Sequence, residues 1–157
     1  MNKQRLLEQF LIALNAVFQN AINAAQRAHD TATDNENIAE NKYDTLALEA
    51  SYLAQGQSVR VEQCASDLQA FKKLNNTACE KVSLGALVLL LDEKDNEKWL
   101  FLGPVAGGLK VFFEGKSIVV ITLSSPLGQA INQADVGQEV SVNIGGNLIG
   151  YEIMQIF

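Results

Sequence analysis

Apolar residues in the first third of the chain alternate spacings of four and three: Leu7, Leu11, Leu14, Phe18, Ala21, Ala25, Ala28 and Ala32. That rhythm keeps them on one stripe of an α-helix. A second run, Tyr43, Ala47, Ala50, Ala54, Val61, Cys64, Leu68 and Phe71, continues it with Gln57 as a polar lapse. Between the runs lie Asp30, Asp34, Glu36, Glu40 and Asp44, opposed only by Lys42. The pattern predicts two helices, about residues 3–32 and about residues 37–74, folded into an antiparallel coiled-coil hairpin on the order of 45 Å long at 1.5 Å per residue. Its seam is large near the base (Leu7, Leu11, Leu14 and Phe18 against Val61, Leu68 and Phe71) and small near the acidic end (Ala21, Ala24, Ala25 and Ala28 against Ala47, Ala50 and Ala54). Interaxial distance follows the side chains at the contact, so the hairpin is expected to taper. Leu46, Leu48 and Leu53 fall beside the strict seam and add apolar surface.

The helical period ends in Lys72–Lys81, where Asn75-Asn76 marks a linker, and a strand period follows. Ala86–Leu91 reads as a buried strand that closes on the polar turn Asp92–Asn96, before a second strand at Lys98–Leu102. Leu109–Phe113 and Ser117–Leu123 form the next pair around Glu114-Gly115-Lys116. Ser125-Pro126 opens a short helix, because serine caps well and proline suits the first helical position. Glu139–Ile144 and Ile149–Ile156 close as a hairpin around Gly145-Gly146-Asn147. The expected class is α+β in two modules: residues 1–75 as an antiparallel coiled-coil finger, and residues 82–157 as a small antiparallel β-sheet domain with one helix.

Composition narrows the function classes. With 157 residues, 48% hydrophobic and 19% charged, the chain is globular. A formal net charge of −6 argues against nonspecific nucleic-acid binding by the overall field. Cys64 and Cys79 lack zinc-site spacing and read as free cytosolic thiols. The N-terminus is amphipathic, with Glu8, Gln9, Asn15, Gln19 and Asn20 interrupting any apolar core, so neither a signal peptide nor a membrane span is expected. The cytoplasm is the expected location.

Three stretches of the second module carry a family resemblance: Val82-Ser83-Leu84-Gly85-Ala86-Leu87-Val88; Ser125-Pro126-Leu127-Gly128-Gln129-Ala130-Ile131 with Val136-Gly137-Gln138-Glu139-Val140; and Gly145-Gly146 leading to Tyr151-Glu152-Ile153 and Ile156. In order and spacing they resemble the C-terminal domain of the bacterial Gre transcript-cleavage factors, and with the hairpin the resemblance covers nearly the whole chain. It implies a C-terminal domain like that of FK506-binding proteins, docked at the rim of the RNA polymerase secondary channel, with the finger reaching toward the active centre. Two tip acids would help hold a catalytic Mg²⁺ jointly with the polymerase, none being bound stably by the isolated chain, and orient water for hydrolysis of backtracked RNA. Hard oxygen ligands suit that metal, and metal-bound water is a strong nucleophile at neutral pH. The chain is then an accessory factor and not itself an enzyme, a monomer whose partners are bacterial RNA polymerase and, indirectly, the nascent RNA 3′ end, with no membrane. By motif position, Ser125 and Pro126 are the partner-binding residues.

The tip departs from the family string Gly-Asp-Leu-x-Glu-Asn-Ala-Glu-Tyr. The nearest stretch runs from Thr33-Asp34-Asn35-Glu36-Asn37 to Tyr43, without the glycine or leucine, and Tyr43 arrives two residues late. Asp34 and Glu36 are preferred as the catalytic and metal-holding pair because they sit where the heptads run out. Bases over residues 1–75 (Lys3, Arg5, Arg27, Lys42, Arg60, Lys72 and Lys73) are scattered, so any grip on RNA should be weak. Two other readings stay open: a non-cleaving modulator that occupies the secondary channel, and a coiled-coil interaction protein unrelated to transcription. The acids could equally be a solvated loop near the start of the second helix. His29 reads as an exposed helix residue, Ser125 as a cap and not a nucleophile, and Gly103–Gly108 as a turn lacking the lysine of a phosphate loop. Trp99, Phe101, Phe112 and Phe113 are expected in the sheet core, with one or two exposed for docking.

Overall fold

A computed structural model of the chain describes residues 1–33, 45–75 and 77–157. Helix α1 spans Lys3–Thr33 and helix α2 Thr45–Lys72. The strands are β1 (Leu87–Asp92), β2 (Glu97–Gly103), β3 (Lys110–Phe113), β4 (Lys116–Thr122), β5 (Glu139–Ile144) and β6 (Asn147–Ile156), with α3 (Pro126–Ile131) between β4 and β5. The α+β class, a helical hairpin followed by a sheet domain with one helix, is as expected.

The six strands form one sheet in the order β3-β4-β2-β1-β6-β5. Four of its five pairings are antiparallel, but β2 and β4 run parallel, Trp99 opposite Ile118 and Phe101 opposite Val120. The all-antiparallel expectation for the sheet is corrected at this pair. The cause is the link from Gly103 to Lys116: it is long enough to carry β3 to the edge and return β4 beside β2 in the same direction. Two turns fix register. Glu114-Gly115 and Gly145-Gly146 each place both central residues at positive φ, the arrangement of a two-residue hairpin turn whose twist matches the strands.

Two compact units divide the chain: one comprises Met1–Leu11 with Ala70–Phe157, the other Ile12–Gln69. The ends of both helices group with the sheet, so this division falls within α1 and α2, whereas the sequence reading divides the chain at the linker between 75 and 82. In the first unit Leu6 and Phe10 are fully buried. The Phe10 ring lies 4.9 Å from Phe101 and 5.8 Å from Phe71, centroid to centroid. These rings cover one face of the sheet with Ile118 and Val120. The other face packs Val88, Leu90, Leu100, Leu102, Tyr151 and Ile153 against Ile131 and Ala134 at the end of α3. With both faces covered, β1 needs the continuous run Leu87–Leu90, all buried, and not an alternating one.

The unit also buries Lys3, whose Nζ donates to the Thr77 carbonyl (2.6 Å) and the Phe157 carbonyl (3.2 Å) and lies 3.6 Å from Cys79 Sγ. Two carbonyl acceptors compensate for the lost hydration of the ammonium.

In the second unit, α1 and α2 lie side by side and antiparallel. Ile22 and Ala25 share a cleft with Val61 and Glu62, while Ala24 and Ala28 share another with Ala50 and Leu53. Leu14, Ala21 and Ala28 are buried along α1, and Cys64 and Leu68 along α2, with Ala50, Ala54, Gln57 and Val61 half-buried. On α1 the heptad reading is right every seventh residue and shifts between: Leu11, Phe18 and Ala25 are only half-buried, and Phe10 takes the deep position. A sheet face packed on the base of α1 widens its buried arc beyond a two-helix seam. Side chains at 43, 46 and 47 lie outside the described residues, and Leu48 and Leu53 are exposed.

Candidate functional site

The Ser125-Pro126 corner is built by backbone demands. Ser125 caps α3 with extended backbone (φ −77, ψ 149), and Pro126 occupies the first turn, where a missing N–H costs nothing. Its hydroxyl oxygen accepts from the Gly128 N–H (3.1 Å) and its O–H donates to the Thr122 carbonyl (2.7 Å). The Thr122 and Ser124 hydroxyls lie 2.8 Å apart. Gly128 must be glycine: a Cβ there would overlap the Thr122 carbonyl oxygen, so no side chain fits without moving the turn. Of the two residues singled out for partner binding, Ser125 is half-buried with its hydroxyl engaged on both sides, whereas Pro126 is exposed. Leu123 and Ser124 are exposed beside it. The sequence reading gave Leu123 only as a strand end and Gly128 only as part of a resembling stretch, with no role at this corner for either; a glycine at the third position of a helix was the available signal for the second.

In the sequence between α1 and α2, Asp34 and Glu36, with Glu40, Lys42, Tyr43 and Asp44, lie outside the described residues. Up to that point α1 closes with threonines bonded back one turn: Thr31 Oγ1 donates to the Arg27 carbonyl and Thr33 Oγ1 to that of His29, both at 2.9 Å. Those two carbonyls also accept the helical N–H four residues on, so the hydroxyls share them. Thr33 Oγ1 also lies 3.3 Å from the Asp30 carbonyl, one of the last four that the helix itself leaves without a partner. Asp30 accepts from Gln26 Nε2 at 2.7 Å. His29 is exposed. Among the described residues no three His, Cys, Asp or Glu side chains converge as metal ligands, and no helix is long and apolar enough to cross a membrane.

The sheet domain carries an acidic concavity of about 280 Å³ lined by Asp92, Glu93, Asp95, Glu139 and Glu152. Asp92 is held below the usual carboxylate range, first by the Asn96 N–H, then by the Asn96 amide and the Lys94 N–H, with the Lys98 charge adding to them. These bonds (2.9–3.0 Å) tie the β1–β2 turn together. Phe112 stands 75% exposed on the edge strand β3, while Trp99 and Phe101 are buried and Phe113 half-buried.

No family model matches the chain. Among curated proteins it is 29% identical over 127 residues to transcription elongation factor GreA of Mesorhizobium japonicum, covering 80% of this chain and 76% of that one. It is 27% identical over 135 residues to GreA of Agrobacterium fabrum, covering 85% and 77% respectively. Among solved structures, the GreA factor homolog 1 (Gfh1) of Thermus thermophilus aligns over 99% of this chain and 94% of its own at 18% identity and TM-score 0.39. GreA/GreB of Nitrosomonas europaea aligns over 71% and 90% at 18% identity and TM-score 0.36. The 127-residue sequence match is longer than either compact unit and so runs through both. On that likeness, the chain is similar in sequence to the GreA transcription elongation factors through both of its compact units.

Proposed function

We propose that this chain binds bacterial RNA polymerase, enters its secondary channel with the helical hairpin, and stimulates cleavage of backtracked RNA. The observation that carries the reading is the sequence likeness to GreA proteins through both the hairpin and the sheet domain. The sheet domain would dock through the corner at Pro126 and Leu123, while Ser125 holds that corner in shape. Asp34 and Glu36 would be carried on the link between the two helices. Their carboxylate oxygens are the hard donors that Mg²⁺ takes, so the donor set fits an ion shared with the polymerase. When bound, such an ion lowers the pKa of its water and supplies the nucleophile for hydrolysis. The chain's own contribution would be two negative charges and their position. It would act as a monomer on the polymerase, in the cytoplasm, touching the RNA 3′ end only indirectly.

One observation favours a second reading. The tip lacks the glycine and leucine of the family string, and Tyr43 arrives two residues late, as suits a channel-filling modulator that does not cleave. The test is RNA cleavage in a stalled, backtracked complex of the host polymerase, with and without the chain. Stimulation that disappears in Asp34→Ala/Glu36→Ala, with binding unchanged, supports the first reading. Binding by competition against a known channel factor, without cleavage, supports the second. Absence of both overturns the polymerase assignment.

A further inference from the structure

Helix α2 has an outward face that solvation alone does not explain. Opposite its seam lie Leu48, Tyr52 and Val59, exposed at 53%, 64% and 61%. At 100° per residue these three fall within about 40° of one another. Between Thr45 and Val61 the only charges are Glu49 and Arg60. A helix face that meets only water usually carries more, because charged pairs support it and keep it soluble.

Gly56 sharpens the point. It sits one turn after Tyr52 on the same side of the helix, and a Cβ added there would meet nothing within 4 Å. Glycine in a helix interior is unfavourable relative to alanine. No packing among the described residues requires it. The residue makes a notch in an apolar stripe, with a large ring beside it.

We infer that this face of α2 binds a second copy of the chain, antiparallel, about a two-fold axis near residue 54. In that register the Tyr52 ring of each copy lies over the other's Gly56. Leu48 comes within one residue of the other's Val59, and Glu49 within one residue of its Arg60. Within a single helix Glu49 and Arg60 are roughly 16 Å apart and cannot pair. Across the axis they lie on the same flank, where antiparallel helices bring like positions together, and they form two ion pairs. Charge complementarity and the fit of ring to notch therefore agree on one arrangement, and it is isologous and closed. The patch of three turns is on the order of 400 Å² per copy, about half that of a standard interface, so the dimer is weak. Pairing covers the outer side of the hairpin, so a dimer could not place that helix in a narrow channel. Association would hold the factor in reserve at high concentration.

The pairing itself does not rest on the polymerase reading; only its consequence for channel entry does, and the pairing is tested first without polymerase. Sedimentation equilibrium of the full chain from about 5 to 500 µM spans the weak affinity such an area implies. The expected result is a weight-average mass rising from 17.1 kDa toward twice that value. Gly56→Leu, whose side chain has open space in the monomer, should keep the helical circular dichroism and lose association at least tenfold. Glu49→Arg and Arg60→Glu should each weaken it, and the two together should restore it. A monomer at every concentration overturns the inference, as does a dimer indifferent to Gly56→Leu or unrestored by the charge exchange. A monomer whose polymerase affinity falls in Gly56→Leu would assign the face to the polymerase instead.

Discussion

Replacing Phe10 by alanine tests how the sheet domain is held together. Phe10 is fully buried, and its ring centroid lies 4.9 Å from that of Phe101 and 5.8 Å from that of Phe71. An aromatic side chain of this kind removes roughly 150–200 Å² from water, worth about 4–5 kcal/mol at ~25 cal/mol per Å². Large-to-small substitutions of phenylalanine in cores cost about 3–5 kcal/mol, so both routes give about 4 kcal/mol. For a chain of this size that is roughly 8–16 °C in Tm. Trp99 is the single tryptophan and lies in the same compact unit, so its fluorescence during urea unfolding reports on that unit. Leu11, the residue the heptad rhythm assigns to the seam, is only half-buried, and Leu11→Ala should cost less than half as much. A Phe10/Phe101 double-mutant cycle should return a coupling of about 0.5–1.5 kcal/mol. If Leu11→Ala costs as much as Phe10→Ala, the packing described for the base of α1 is wrong.

Other expectations follow from single contacts. Ser125→Ala removes a cap bonded on two sides and should cost about 1 kcal/mol, read by the same fluorescence titration. Gly128→Ala should cost more than Ser125→Ala, because its Cβ overlaps the Thr122 carbonyl; equal or higher stability would contradict the turn. Gly56→Ala should raise stability by about 0.5–1 kcal/mol in dilute solution, by thermal melting followed at 222 nm. Asp92, held below its usual pKa, contributes stability that is present above about pH 4 and is lost as pH falls through its folded value. Asp92→Asn keeps an acceptor but cannot titrate. The Tm difference from the unaltered chain should therefore be constant above about pH 4 and shrink below it; a difference that changes instead between pH 6 and 8 would exclude this cause.

The hairpin was legible because its seam repeats: Leu14, Ala21, Ala28, Cys64 and Leu68 fall where the heptads put them. Leu6 and Phe10 were missed because a two-helix pattern carries no trace of a sheet face packed on the third side. Strand positions were legible from the shift to short apolar runs and from turn residues, Gly145-Gly146 above all. The parallel β2–β4 pair was not, since adjacent strands in sequence suggest hairpins, and nothing in Gly103–Gly108 says which edge the next strand takes. Ser125-Pro126 announced a helix start, but the double engagement of the hydroxyl depends on Thr122, three residues back. Asp34 and Glu36 were chosen from sequence alone and lie outside the described residues.

The compact unit that holds the sheet is drawn from residues 1–11 and 70–157, with the hairpin strung between them. In topological terms the hairpin is an insertion, and the sheet domain is discontinuous in sequence. A fragment beginning at residue 82 would lack Leu6, Phe10 and Phe71 and leave Phe101 bare, however natural that cut looks in the sequence. Deleting residues 12–69 and rejoining the two helix stubs through a flexible linker removes the insertion and keeps all four. Lengthening the hairpin by matched heptads on α1 and α2 would likewise leave that core untouched. The hairpin is thus free to vary in reach as a replaceable cassette, while its two anchoring stubs are not.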